Sequence, residues 1–156
     1  MPEIELAPAA RDDPAVLTLY EPFAHESGAG LTETAAETAA EAAAGPPADL
    51  VPPAGAMLLV RVDGEPAGIG GVRHLDTPIA EIKSMYVSPA HRGLGLGRRI
   101  LEQLQAIARE RGCRAVRLDS NDYLREAVGL YRAAGYREVA DYNGNAKADL
   151  WFELEL

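Results

Sequence analysis

The chain has 156 residues, 47% hydrophobic and 25% charged, with a formal net charge of −9. That length fits one domain over residues 1–156 with a real core, and the composition is ordinary for a soluble globular protein. The acidity argues against nucleic acid or an anionic membrane as partner, no apolar run reaches the length of a membrane span, and Met1-Pro2-Glu3-Ile4-Glu5 lacks the basic and hydrophobic regions of a signal peptide, so a cytoplasmic location is expected.

A single cysteine, Cys113, excludes an internal disulfide and cysteine-based zinc sites. The charge is uneven. Residues 1–55 hold ten acids against Arg11, giving −9, while residues 56–156 hold fourteen charges of each sign. An acidic N-terminal third tolerates a cationic amine substrate, although solvation of a surface explains the same acids.

Residues 3–7 alternate as a first strand, and residues 14–23 form a short helix. Ser27-Gly28-Ala29-Gly30 is a flexible break. Residues 32–44 are alanine-rich, with Glu33, Glu37 and Glu41 on one face, and Gly45-Pro46-Pro47 stops them. Alanine favours the helix but gives it little to bury, so an exposed, mobile helix is expected. A Pro- and Ala-rich loop runs to Gly55. Residues 57–62, the pair Asp63-Gly64 and residues 67–74 read as a hairpin with a tight turn. Asp76-Thr77-Pro78 then turns the chain into a strand over residues 79–87.

Arg92-Gly93-Leu94-Gly95-Leu96-Gly97 follows that strand and opens an amphipathic helix, 97–111, carrying Ile100, Leu101, Leu104, Ile107 and Ala108 at helical spacing before Gly112 ends it. Glycines let a backbone approach a ligand closely and leave its N–H groups unobstructed. At a helix N-terminus those donors and the macrodipole suit a phosphate or pyrophosphate. A dinucleotide fingerprint starting at Gly93 needs glycine or alanine where Arg98 stands; one starting at Gly95 meets Ile100. The Gly-Lys-Ser/Thr triplet of a P-loop is absent from the sequence. Residues 115–118 alternate as a short strand, and Ala127-Val128-Gly129-Leu130-Tyr131-Arg132-Ala133-Ala134-Gly135-Tyr136 ends a further helix. Tyr142-Asn143-Gly144-Asn145 reads as a hairpin turn into a last strand, where Leu150, Phe152, Leu154 and Leu156 alternate with Trp151, Glu153 and Glu155.

The pattern R-x-x-G-x-G at Arg92, Gly95 and Gly97 resembles the acetyl-CoA signature Q/R-x-x-G-x-G/A of the GNAT superfamily of N-acetyltransferases. Val87-Ser88-Pro89 resembles the exit from that superfamily's fourth strand, and residues 127–136 resemble its A-x-x-L-Y-x-x-x-G-F/Y helix end; the resemblance covers roughly residues 56–156. It implies an α+β fold in the order β–αα–β–β–β–α–β–α–β–β. The sheet is mixed and mostly antiparallel, and its fourth and fifth strands run parallel and splay around the pantetheine arm of acetyl-CoA. Backbone groups of Met85, Tyr86 and Val87 would pair with that arm, and one N–H there would face the thioester carbonyl oxygen, where negative charge develops. Arg92, Gly93, Leu94, Gly95, Leu96, Gly97 and Arg98 would hold the pyrophosphate.

The activity implied is direct acetyl transfer to a primary amine of a small molecule or protein, with acetyl-CoA as co-substrate and no metal, by a monomer or homodimer. An alkylammonium with a pKa near ~10 must first lose a proton. Glu81 is the first candidate base, because its offset before Arg92 matches that of the general base in the histone acetyltransferase branch. On an alternating strand it would share a face with Lys83, Met85 and Val87, and pairing with Lys83 is its alternative role. His74 and His91 are lesser candidates. The resemblance makes Tyr131 the proton donor to the departing thiolate; its place on the stripe of Leu124, Ala127, Val128 and Ala134 also suits a core tyrosine. The family's asparagine before this helix is replaced by Leu124, leaving Asn121, three residues earlier, to cap the helix or reach the cofactor. Asp119, Asp122 and the glutamates of residues 33–41 show no metal spacing. A catalytically silent acyl-CoA-binding module is the alternative function; the presence of both Glu81 and Tyr131 favours an enzyme. Acceptor specificity is expected from residues 14–44 and 139–148.

Overall fold

The computed structural model describes residues 1–28 and 34–156. In chain order the elements are β1 (Ile4–Pro8), α1 (Pro14–Gly28), α2 (Ala35–Ala44), β2 (Gly55–Val62), β3 (Glu65–Arg73), β4 (Ile79–Val87), a 3-10 turn (Pro89–His91), α3 (Leu96–Glu110), β5 (Ala115–Ser120), α4 (Arg125–Ala133), β6 (Arg137–Val139) and β7 (Leu150–Glu155). The strands form one seven-stranded sheet in the order β1-β2-β3-β4-β5-β7-β6. β4 and β5 run parallel and the other neighbours antiparallel, which is the mixed α+β fold expected from the sequence. Among the described residues, no helix is long and apolar enough to cross a membrane.

Local chemistry explains the tight β2–β3 turn. Asp63 and Gly64 both take left-handed backbone, with φ of 50° and 82°, the twist that a two-residue hairpin loop requires. The sheet then buries both faces. Val60, Val72, Ile82, Val116 and Phe152 meet Ile100, Leu101 and Leu104 of α3, whereas Met57, Leu59, Ile69 and Tyr86 meet Val16, Leu19 and Tyr20 of α1. The α3 side is tight. A Cβ on Gly70 would lie 2.4 Å from Ile100 Cγ2, so the helix axis can come this near only over a glycine.

Three local expectations change. α1 continues past Phe23 to Gly28, because Val16, Leu19, Tyr20, Phe23 and Ala24 make one unbroken apolar stripe against the sheet. Ser27 and Gly28 are therefore helical, while Ala29 and Gly30 lie outside the described residues, as do Thr32 and Glu33 of the alanine-rich segment. α2 begins after Thr34, whose Oγ1 accepts the Glu37 N–H at 3.1 Å as an N-cap. Much of it is exposed, yet Thr38 is buried and Ala42 packs on the α1 core. Finally, Tyr142-Asn143-Gly144-Asn145 is not a tight hairpin turn. β6 ends at Val139 and β7 starts at Leu150, and Asp141 Oδ1 accepts the N–H groups of Asn143 and Gly144 to fold the long connection back on itself.

The most consequential departure is in β4. Gly71 pairs with Lys83 but Ile69 pairs with Tyr86, so β4 carries one extra residue, a bulge with Ser84 at φ 58°. One extra residue reverses the alternation of everything after it. Met85 and Val87 thus join Ile82 on the α3 face, and Tyr86 turns to the α1 face. The expectation that Glu81 shares a face with Lys83, Met85 and Val87 holds for Lys83 alone. Beside the bulge, β4 and β5 pair only at Ile79↔Ala115, Ala80↔Val116 and Glu81↔Arg117, then part.

Gly70→Ala should destabilise the protein by about 1–3 kcal/mol through overpacking against α3. Gly129→Ala should have the opposite sign, since a Cβ there meets nothing within 4 Å inside a helix. Thermal melting of the two variants against wild type checks both signs.

Candidate active site

The parting of β4 and β5 opens a space between the two sheet faces. On one side lies a cleft of about 480 Å³, walled by Tyr86, Val87, the loop from His91 to Arg98, and Leu124 and Leu130. On the other lies a cavity of about 450 Å³, walled by Tyr20, Glu41, Lys83, Asp119, Asn143 and Lys147. Glu26, Met85, Tyr86, Leu124, Ala127 and Tyr131 line both, so the two spaces meet at these side chains. The Tyr123 hydroxyl, donating to the carbonyls of Glu26 and Ser27 at 2.9 and 3.1 Å, ties the end of α1 to the β5–α4 connection beside the cleft.

The glycine loop is built for close approach. Gly93 and Gly95 have φ of 87° and 73°, and a Cβ on either would meet nothing within 4 Å. Gly95 is the N-cap of α3, and the first helical bond runs from the Arg99 N–H to the Gly95 carbonyl at 3.2 Å. The N–H groups of Leu96, Gly97 and Arg98 therefore have no acceptor within the helix and face outward. Leu96 gives only its backbone, because its side chain is in the core, and Leu94 is exposed. Gly97 has a different reason to be small: a Cβ there would lie 3.1 Å from Leu130 Cδ2 of α4.

Arg92 overhangs this cradle. Its Nε donates to the Val87 carbonyl at 3.1 Å, and its guanidinium lies 5.9 Å from the Tyr86 ring centre and 3.5 Å from Glu26 Oε2. Arg98 is spent on an exposed pair with Glu102 at 2.9 Å. His91 lines the cleft with Nδ1 2.7 Å from Ser88 Oγ, whereas His74 is exposed on the turn after β3, lines neither space and is no base candidate here. Free N–H donors, space in place of side chains and an overhanging guanidinium fit the pyrophosphate of acetyl-CoA.

Tyr131 stands where the spaces meet. Its ring packs between Tyr136 and Phe152 at centroid distances of 6.0 and 5.9 Å, so it is a core residue as its stripe implied. Its hydroxyl nevertheless makes no hydrogen bond to the described residues, and the residue lines both spaces. Burial, with a smaller push from the charge of Asp119, raises its pKa above the ordinary 10.0, and it keeps its proton.

Glu81 is placed differently. It is buried but lines neither space. Arg73 holds its Oε1 through Nε at 2.9 Å and Nη2 at 2.7 Å; Tyr142 and Asn143 donate to its Oε2 at 2.6 and 3.1 Å. Lys83, at 3.9 Å, turns instead to Asp119 at 2.8 Å. Asp119 Oδ2 also accepts from Asn143 at 2.6 Å and Asn145 at 3.1 Å. Burial pushes the Asp119 carboxyl up, but the charge and hydrogen bond of Lys83 with the two amides outweigh it and hold the group below its usual range. The Tyr142 phenol is pushed far up, by burial first and by its bond to Glu81 next.

Asn121 departs from its expected place. It lines the cavity rather than the cleft, and its amide donates to the Lys147 carbonyl at 2.6 Å; the N-cap of α4 is Leu124, with no side-chain bond. It fastens the 140–149 connection to the end of β5. Sequence reasoning missed Arg73, Tyr142, Asn143, Asn145 and Lys147 as members of this cluster. The density of polar residues after Val139 was the available signal. Among the described residues, no group of three or more His, Cys, Asp or Glu side chains could hold a metal.

The depressed Asp119 pKa makes a pH prediction. A carboxyl lowered in the folded state adds stability that is complete above its unfolded value near ~3.9 and is lost as pH falls through the folded value. Asp119 should titrate below that range by carboxyl NMR. Lys83→Met should raise it, and Asp119→Asn should flatten the matching part of the stability–pH curve.

A family model of the GNAT acetyltransferases matches residues 18–136. The Escherichia coli N-acetyltransferase YjgM is 34% identical over 93 residues, 58% of this chain and 55% of that protein. A Sus scrofa thialysine N-epsilon-acetyltransferase is 33% identical over 63 residues, 40% of this chain and 37% of its own length. The chain thus spans about half, or less, of these relatives. The PaiA N-acetyltransferase of Thermoplasma acidophilum, solved in complex with coenzyme A, shares the fold at a TM-score of 0.76 and 15% identity over 99% of both chains. The glycine loop and the parted strands both lie within the matched segment, and this chain belongs to the GNAT acetyltransferase family.

Proposed function

We propose that the protein transfers the acetyl group of acetyl-CoA to a primary amine that attacks it directly. The observation that carries this reading is the meeting of two separately lined spaces at Met85, Tyr86 and Tyr131. One has the backbone donors and the guanidinium that suit a pyrophosphate. The other mixes apolar side chains with acids and bases and is walled in part by α1 and α2. Acetyl-CoA, when bound, supplies the reactive thioester.

In this proposal Arg92 and the N–H groups at the start of α3 hold the pyrophosphate. The edge of β4 at Met85, Tyr86 and Val87, which β5 has left, takes the amides of the arm as an added strand would. A backbone N–H of that segment faces the thioester oxygen, where preorganised donors count most. Tyr131 gives its hydroxyl proton to the departing sulfur. Glu81 has both oxygens engaged and no face on the cavity, so we assign it the positioning of Arg73, Tyr142 and Asn143, while the amine proton leaves to water in the cavity. The silent binding module is the second reading; a protonated, unpartnered hydroxyl at the junction favours the enzyme.

Calorimetry should register acetyl-CoA binding in the absence of divalent metal. Arg92→Ala should weaken it by about 1.5–3 kcal/mol with the melting temperature nearly intact. Gly95→Val should weaken it by filling the cradle while also lowering Tm, because a β-branched residue is strained at φ 73°. Equal binding by a folded Gly95→Val protein would remove the loop from the site.

Tyr131→Phe keeps the ring and deletes the proton. Turnover should fall about 10²-fold, with acetyl-CoA affinity and Tm barely changed. Unchanged turnover would make Tyr131 a core residue alone. Glu81→Gln should reduce turnover by a similar factor at neutral and at high pH, as a positioning residue does. A loss confined to neutral pH would return Glu81 to the role of base.

A further inference from the structure

Lys147, from the 140–149 connection, sets its Nζ 2.5 Å from Glu41 Oε2 of α2, and Tyr20 Oη lies 3.4 Å from the other carboxylate oxygen. Glu41 and Lys147 both line the acceptor-side cavity and neither lines the cofactor cleft, so this ion pair lies away from the junction where the acetyl group would be delivered. It joins two segments more than a hundred residues apart, with the side chains 38% and 25% exposed. A partly solvated pair of this kind contributes little net stability, and exchanging its cation costs little. In effect, an alkylammonium already sits on a carboxylate inside the acceptor cavity, carried by the chain itself.

From this we infer that Glu41 anchors a second ammonium group of the acceptor, displacing Lys147, so that the preferred substrates are α,ω-diamines or longer polyamines acetylated at the far amine. The inference rests on the acetyl-transfer reading above. The other carboxylates at the cavity are placed differently. Asp119 is held by Lys83 and two amides, and Glu26, 3.5 Å from Arg92, lies at the junction itself, too near the acetyl group to anchor the far end of an acceptor. The opposite exchange, a substrate anion replacing Glu41 on Lys147, is the competing outcome, because the lining balances Glu26, Glu41 and Asp119 against Arg73, Lys83 and Lys147. The charges of α2 itself, Glu37 and Glu41, are both acidic and favour an incoming cation there.

The test uses acetyl-CoA with matched acceptors of three to six carbons: α,ω-diamines, n-alkylamines and ω-amino acids, scored by release of free thiol. The best diamine should exceed its matched alkylamine about tenfold or more in kcat/KM, chiefly through KM, since a charge-assisted contact is worth that much. Glu41→Gln should collapse that preference to within about twofold, and Lys147→Met should lower KM for the diamine. Preference for the ω-amino acids overturns the inference, as does a diamine preference that survives Glu41→Gln in a protein of normal Tm. Binding of acetyl-CoA with no diamine accepted also overturns it while leaving the cofactor assignment standing. Failure to bind acetyl-CoA in calorimetry would instead defeat the function it rests on.

Discussion

The site depends on a refusal to pair. A parallel strand couple inside a sheet normally continues its ladder for as long as both strands last, because buried backbone groups need partners. Here the ladder between β4 and β5 stops after Glu81↔Arg117. The bulge at Ser84 turns β4 aside, β7 holds β5 from Ala115 to Ser120, and α4 crosses the widening gap with Tyr131 facing into it. Hydrogen-bonding capacity that the fold leaves unused is thereby concentrated in one place, and a ligand carrying amides is the natural complement.

Tight packing elsewhere keeps that gap from closing. α3 presses onto β3 over Gly70, and its first turn is fixed by the burial of Leu96 and by the approach of Leu130 to Gly97. The helix start is therefore rigidly aimed along the gap. On the other face, a network of charges adjoins the hydrophobic packing of α1. Glu81 ties Arg73 of β3 to Tyr142 and Asn143, and Asp119 gathers Lys83, Asn143 and Asn145. Removing a single member of such a network leaves buried charge uncompensated, which is why it behaves as one structural unit.

The sequence disclosed what is encoded locally. The glycine loop, the amphipathic α3, the Asp63-Gly64 turn and the tyrosine of α4 each declare themselves within a short window. What it concealed arises from distant parts of the chain or from a single backbone event. Ser84 has no propensity that announces a left-handed φ, so the alternation of β4 could not be followed past it, and Met85 and Val87 were put on the wrong face. Glu81 looked like an available carboxylate because its partners Tyr142 and Asn143 lie some sixty residues on. Asn121 offered itself as a cap or cofactor contact from its place before α4, and its partner, the Lys147 carbonyl, lies 26 residues on. α2 looked featureless, since alanine hides which face is inward; Ala42 packs on the α1 core, and Glu41 is met by Tyr20 and Lys147.

The two sides of the junction are made of different materials. The phosphate cradle is mainly main-chain: N–H groups, glycine space and a strand edge. The opposite cavity is mainly side chain, drawn from α1, α2 and the 140–149 connection. Main-chain groups are indifferent to most substitutions, whereas the chemistry of a side-chain wall changes with each one. Acceptor preference can therefore drift by point substitution over evolutionary time while the half that grips the shared donor stays constant, and one scaffold can diversify its customers without relearning its supplier.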